Sequence, residues 1–201
     1  MFIARIAYHR RVSEASTRRS ERRSRQRAAN RGSILAAARR VAEVRGPAEL
    51  SLRATAAEAG YAPATVYAYF RNRAELVLAL AADELGNLAR TMREAPDGAA
   101  AANAALSLMR GSAALAAAAQ TLEADKVPRE AERHFNGKLI AALTALTRVQ
   151  PRTRDEQADV VLMAAALAGL ALFARTGRLK ALGFDEQELL ARANQRLRAT
   201  S

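Results

Sequence analysis

Apolar residues recur along this chain at intervals of three and four, the spacing of helices that each bury one stripe of their surface. Ile34, Leu35, Ala38, Val41 and Ala42 form such a stripe and predict a helix from about Gln26 to Arg45. Gly46-Pro47 ends it, because proline lacks the N–H that the helical ladder needs. Ser51 is suited to cap a short second helix, Leu52 to Ala59, and Gly60 can take the positive φ that closes it. Pro63 suits the first turn of a third short helix ending near Tyr69. Asn72, with Glu75 three residues on, is a variant capping box for a long fourth helix, Arg73 to about Glu94. Pro96-Asp97-Gly98 then interrupts the chain. Further helices are expected near 99–110, 112–124, 128–148, 153–176 and 185–198, bounded by Gly111, Val127-Pro128, Pro151, Gly177 and Gly183. The expected fold class is all-α, with about nine helices.

Composition agrees. Alanine fills 51 of 201 positions, and alanine costs least to hold in a helix. Cysteine is absent, which removes disulfides, zinc-thiolate sites and thiol nucleophiles and fits a reducing cytoplasm. With two histidines in the chain and no His-Glu-x-x-His pattern, no metal is implied, and no cofactor either. The glycines nearest each other, Gly177 and Gly183, are too far apart for a dinucleotide or phosphate-loop fingerprint. Asp155, Glu156 and Asp159 sit where a helix N-terminus favours acids. An all-helical enzyme is therefore the weaker alternative. The longest uncharged apolar run, Val160 to Ala174, is shorter than the roughly 20 residues of a membrane span. Arg5, Arg10 and Arg11 leave no room for a signal-peptide core, so a cytoplasmic protein without a membrane partner is expected.

The net charge of +12 is unevenly placed. Residues 1–31 hold ten arginines against Glu14 and Glu21, residues 32–99 are balanced, and the remainder carries a smaller excess. A basic block of this kind is attracted to nucleic acid, although it also reads as a solvated leader. Lacking sustained periodicity, residues 1–24 are expected to form a basic, disordered tail.

A short helix, a glycine turn and a second short helix within twenty residues, about 51–70, is the plan of a helix-turn-helix. Leu52, Ala56, Ala59 and Val66 are spaced to pack the two helices together. Thr65, Tyr67, Tyr69 and Arg73 then offer hydroxyls and a guanidinium, groups that bind phosphate oxygens. The same spacing also fits a plain helical hairpin, and the basic block alone fits a non-specific architectural protein.

The order and spacing of Arg31-Gly-Ser-Ile-Leu-Ala-Ala-Ala, Ser51-Leu-Arg-Ala-Thr-Ala-Ala-Glu-Ala-Gly60 and Thr65-Val-Tyr-Ala-Tyr-Phe70-Arg-Asn-Arg-Ala-Glu-Leu76 resemble the N-terminal domain of the tetracycline-repressor (TetR) family over about residues 27–80. The resemblance implies a three-helix DNA-binding domain (25–84) and a C-terminal regulatory and dimerisation domain (85–201). It implies a homodimer and a repressor released by a small effector. One helix-turn-helix per chain points to a palindromic operator, and few aromatics and few buried-looking charges in the C-terminal half point to an apolar or weakly polar effector. Tyr67 matches the family's phosphate-binding tyrosine. Tyr69 stands where histidine is common and Arg73 where lysine is usual, a change that keeps a phosphate donor. Thr65 matches a backbone-binding position. Tyr61, Ala62, Pro63 and Ala64 would lie near the bases, with Arg53 and Thr55 on the preceding helix. Ala62 replaces a capping serine, and Thr55 replaces an isoleucine. So few hydrogen-bonding readers point to thymine-methyl contacts and DNA shape.

In the C-terminal half, Met109, Leu115, Phe135, Leu139, Met163 and Phe173 are candidates for an effector pocket or for plain core. Val161, Ala165, Ala168 and Leu172 form one apolar stripe of the 153–176 helix, and Gly169 lies beside it. Small residues at 168 and 169 would let a partner helix approach, with Leu189, Leu190 and Leu197 of the last helix sharing the dimer interface.

Overall fold

The computed structural model describes the backbone of residues 2–122, 127–147 and 152–199, and the side chains within it apart from those of 2–17, 194 and 196–199. Among the described residues there are ten α-helices, a 3-10 turn and no strand. The helices are α1 (Phe2–Arg45), α2 (Leu52–Ala59), α3 (Pro63–Tyr67), α4 (Arg73–Glu94), α5 (Gly98–Gly111), α6 (Ala113–Leu122), α7 (Arg129–Thr147), α8 (Arg154–Arg175), α9 (Arg178–Ala181) and α10 (Glu186–Ala199). The 3-10 turn, Pro47–Glu49, joins α1 to α2.

Most boundaries follow from capping chemistry. The Ala54 N–H donates to Ser51 Oγ at the head of α2, and Gly60 closes that helix at φ 67°. Asn72 and Asp97 accept from the N–H groups of Glu75 and Ala100. Thr153 and Glu156 form a reciprocal capping box at the start of α8. The Glu156 carboxyl is held below its ordinary value by the N–H groups of Arg152 and Thr153, so this acid serves the helix end.

Two elements differ from the sequence expectation. The four-residue α9 lies between Gly177 and Gly183, both at positive φ, too short to leave a periodic signature. Helix α1 starts at Phe2, not near Gln26, and so runs through the segment expected to be a disordered tail. No glycine or proline precedes Gly32, so nothing local stops the helix. Its side chains from Arg18 to Ala29 are all exposed, and core packing does not hold this stretch, although Arg27 reaches the Ala68 carbonyl. Local pairs do: Arg25 lies 3.8 Å from Glu21, and Gln26 donates to Asn30 at 2.9 Å.

Helix α4 is the centre of the molecule. Leu76, Val77, Leu78, Leu80, Ala81 and Ala82 are fully buried in succession, so the helix is covered nearly all round in its first turns. It packs against α1 on one side and α5, α6 and α7 on the other. It runs unbroken through position 84, and one apolar cluster extends from Ile34 to Leu190. Polar groups reinforce the junction. Arg39 on α1 donates to Asp83 at 3.0 Å and to Glu84 at 3.3 Å, and Glu84 also accepts from the Ser112 hydroxyl between α5 and α6. Burial opposes the Arg39 charge, but the hydrogen bonds to Asp83 and Glu84 outweigh it and raise its pKa.

Helix α8 buries only Val160, Leu167 and Ala171, packing on α5, α7, α9 and α10. Val161, Leu162, Leu172 and Phe173 are exposed, as are Ala165, Ala166, Ala168 and Gly169. As a 22-residue helix, α8 is long and apolar enough to cross a membrane by length and composition alone, which the shorter uncharged run had not suggested. Leu190, expected at a dimer interface, is instead buried within the chain at 2% exposure, where α10 meets α5 and α8. Leu189 is half-buried, and the Leu197 side chain lies outside the described residues.

A core shared across the molecule should unfold as one. Replacing fully buried Leu80 with Ala should cost about 2–5 kcal/mol. All four tyrosines (8, 61, 67 and 69) lie in the first half and tryptophan is absent. Tyrosine fluorescence therefore follows that half, whereas circular dichroism follows every helix. The two melting curves should coincide in the parent and in Leu80→Ala; separated midpoints would show two independent cores.

Candidate nucleic-acid interface

Three short segments build a protruding unit at one end of α4. Leu52 and Ala56 from α2, Val66 from α3 and Phe70 after it are buried together against Ile34, Ala38 and Val41 of α1. Because that side of α3 is consumed by the core, the opposite side must face out. Ala62, Pro63, Ala64 and Tyr67 are exposed there, with Tyr67 at 49%. Arg53 is exposed on α2. Ala62 makes no side-chain cap bond, and Pro63 opens the helix in its place with a φ already suited to the first turn.

Arginines brace this unit from below. Arg73 donates through Nε to the Leu50 carbonyl and through Nη2 to the Pro47 carbonyl, both at 2.8 Å. It thereby ties the head of α4 to the 3-10 turn before α2, a structural duty its spacing did not reveal. Arg27 stands over the Tyr69 ring at 5.3 Å and Arg31 over the Phe70 ring at 5.2 Å. Both arginines lie on α1, four residues apart and thus on one face. That four-residue spacing is the signal by which the sequence marks the pair.

Of the other DNA-facing candidates, Tyr61, Thr65 and Tyr69 are half-buried, and Tyr61 and Tyr69 pack on the core. Thr55 needs correction. It is fully buried, so it cannot touch DNA, and its hydroxyl lacks a hydrogen-bond partner. It occupies the inner face of α2 beside Ala56, where an aliphatic side chain would serve better. The six pocket candidates do not share one wall. Phe135 is buried, Met109, Leu115, Leu139 and Met163 are partly buried against the core, and Phe173 faces outward from α8.

Residues 34–80 match the family model for bacterial regulatory proteins of the tetR family. No curated protein matches the chain in sequence. Among solved structures, a protein of unknown function from Rhodococcus sp. RHA1 is similar at 24% identity and a TM-score of 0.63, over 84% of this chain and 94% of that one. The fatty acid degradation regulator FadR from Bacillus halodurans is similar at 20% identity and 0.55, over 83% and 93%. FadR from Bacillus subtilis, solved with stearoyl-CoA, is similar at 19% and 0.54, over 82% and 96%. At these identities the likeness is one of fold.

Thr55→Val removes a buried, unpartnered hydroxyl while keeping the side-chain shape. It should raise stability by about 1–3 kcal/mol and leave nucleic-acid affinity unchanged. A fall in melting temperature would mean that the hydroxyl has a partner after all.

Proposed function

We propose, for a chain whose N-terminal domain is that of the TetR family of bacterial regulators and whose fold is theirs, that it acts as a dimeric repressor on a near-palindromic operator. Acting on DNA puts it in the cytoplasm. The observation that carries this reading is α3: its inner side is locked into the core by Val66 and Phe70, and its outer side is bare. In this reading α3 enters the major groove. Pro63 and Ala64 contact base edges through van der Waals surface, and Tyr67 and the remaining donor nitrogen of Arg73 reach phosphates. Sequence preference then comes mainly from thymine methyls and groove shape.

Each chain carries one such unit, so a palindrome needs two. The exposed apolar side of α8 supports a second copy as its cover: Val161, Ala165, Ala168 and Leu172 run along it with no Cβ at Gly169. We assign release from the operator to a small effector with an apolar part, by analogy of fold with the Bacillus subtilis regulator that binds stearoyl-CoA.

Selecting bound fragments from the source genome tests the regulator reading directly. A two-fold footprint with half-site centres about one helical turn apart, or a multiple of it, is expected. Nothing lies within 4 Å of a Cβ at Gly169, so Gly169→Trp leaves the chain folded. It should convert the dimer to monomer in light scattering and abolish operator binding. A dimer that survives the substitution would move the interface off α8.

The exposed arginines of α1 favour a second contribution. Arg18, Arg19, Arg22 and Arg23 lie on α1 just before Arg27, which stands over the Tyr69 ring. If three of the charges in residues 1–24 displace counterions, deleting that segment should flatten the salt dependence of binding by about 2.7 units, alike for operator and random duplex. An unchanged slope would make the segment inert, and a parent with no preference between the two duplexes would favour an architectural protein.

A further inference from the structure

A groove lies between α1, α4 and α7, behind the helix-turn-helix unit, with a volume of about 440 Å³. Its wall on α4 is a single helical face: Ala79, Asp83, Gly86, Arg90 and Arg93 recur at intervals of three and four. Arg31 enters from α1, and His134 and Lys138 enter from α7. The Lys138 side chain lies across Gly86, with Cδ 3.7 Å from where a Cβ would stand.

The charges in this groove do not cancel. Asp83 is its one carboxylate, and Asp83 is already paired with Arg39 at 3.0 Å. Among the described residues, Arg31, Arg90, Arg93 and Lys138 have no carboxylate within ion-pair distance. The His134 pKa is lowered first by partial burial and then by the nearby Arg31 and Lys138 charges. Four cations from three helices face one concavity, and an anion placed among them is attracted by all four.

DNA is a poor candidate for that anion. Arg90 and Arg93 lie 17 and 20 residues along α4 from Arg73, or ~26–30 Å at the helical rise of about 1.5 Å per residue. A lone carboxylate would engage too few of the donors. Guanidinium forks arranged along a groove match the several oxygens of linked phosphates.

We propose that this groove binds a small anion bearing linked phosphoryl groups, and that binding there regulates affinity for DNA through Arg31. The guanidinium of Arg31 stacks on Phe70, the residue that anchors the end of α3, and also lines the groove. An anion drawing Arg31 toward Arg90 and Lys138 competes with that stacking contact and loosens the seat of α3. The regulatory half of the proposal rests on the DNA-binding reading, whereas the site itself does not.

Calorimetric titration of the full chain with inorganic pyrophosphate, at constant ionic strength, tests the site. One saturable site per chain is expected. Arg90→Ala/Arg93→Ala, at two exposed positions, should weaken it about tenfold or more, as loss of charge-assisted hydrogen bonds implies. Arg19→Gln/Arg23→Gln removes the same charge from the exposed part of α1 and should leave binding within about twofold, since neither residue lies in the groove. Equal weakening by both variants, or no saturation, would reduce the effect to screening of a basic protein and overturn the site. Competition by ATP supports a nucleoside-borne anion, and competition by inorganic phosphate alone a free one. In parallel, pyrophosphate should lower affinity for a selected genomic fragment in the parent but not in Arg90→Ala/Arg93→Ala. A bound fragment insensitive to pyrophosphate would overturn the regulatory link and leave the site standing. A saturable site in a protein that selects no fragment would instead sink the DNA-binding reading.

Discussion

Everything in this molecule is referred to one buried helix. Six nearly consecutive apolar residues from Leu76 to Ala82 are excluded from water on all sides of α4, which is possible only if other helices surround it. At ~25 cal/mol per Å² of apolar surface, that burial fixes α1 on one side and α5 to α7 on the other. The position of α3 then follows, because Phe70 and Asn72 join it to the head of α4 within a few residues. The network from Arg39 to Asp83, Glu84 and Ser112 adds direction to a contact that apolar packing would leave free to slide.

The alanine content shapes how this is done. Ala37, Ala38, Ala56, Ala81, Ala82, Ala101, Ala102 and Ala117 are all buried. Each removes less apolar surface from water than a leucine would, but it lets neighbouring helices approach closely and costs little side-chain entropy. Larger groups such as Phe70, Met92, Leu106 and Leu167 fill the gaps that remain. Alanine on the outside has the opposite meaning. On α8 the small residues are exposed beside Leu162 and Phe173, and a smooth apolar face of that width is stable only under a cover. A second copy and a lipid bilayer both satisfy that demand in principle. The narrow buried stripe of Val160, Leu167 and Ala171, packed on α5, α7, α9 and α10, belongs to a helix already anchored in a globular body. That arrangement favours a second copy.

Arginine divides its labour by position. On the outer part of α1 it is exposed and meets only nearby side chains, as in the Glu21–Arg25 pair. Around α3 it serves structure: Arg73 satisfies the carbonyls of Leu50 and Pro47, and Arg27 and Arg31 lie on aromatic rings. In the groove between α1, α4 and α7, Arg31, Arg90 and Arg93 gather with no carboxylate in ion-pair distance among the described residues, although Arg90 donates to Asn87. One residue type in a basic chain is therefore an exposed charge, a brace or the lining of a basic groove, and the neighbours decide which.

Local chemistry was legible in the sequence wherever a few adjacent residues settle it. Ser51 and Gly60 bound α2, Asn72 starts α4, and Asp97-Gly98 starts α5, because a cap needs only its own turn. The Thr-x-Tyr-x-Tyr-Phe pattern from Thr65 to Phe70 carried the resemblance to the TetR N-terminal domain, and the family model matches over residues 34–80. Periodicity could say that α2 has an inner face, yet not that Thr55 lies on it with an unpartnered hydroxyl. It could say that Leu190 is apolar, yet not whether α5 and α8 of the same chain or a second chain would cover it. It marked α8 as unusually apolar, yet which side stays bare depended on where α5, α7 and α10 came to rest. Arg31, Arg90, Arg93 and Lys138 span more than a hundred residues of sequence, and only the packing of three helices brings them to one cleft. The sequence by itself determined the capped helix ends and the kind of domain they begin, since those follow from neighbours along the chain, whereas the four-residue α9 and the start of α1 escaped it. Which side chains are buried, bare or gathered together was decided by tertiary structure, because that depends on neighbours across space.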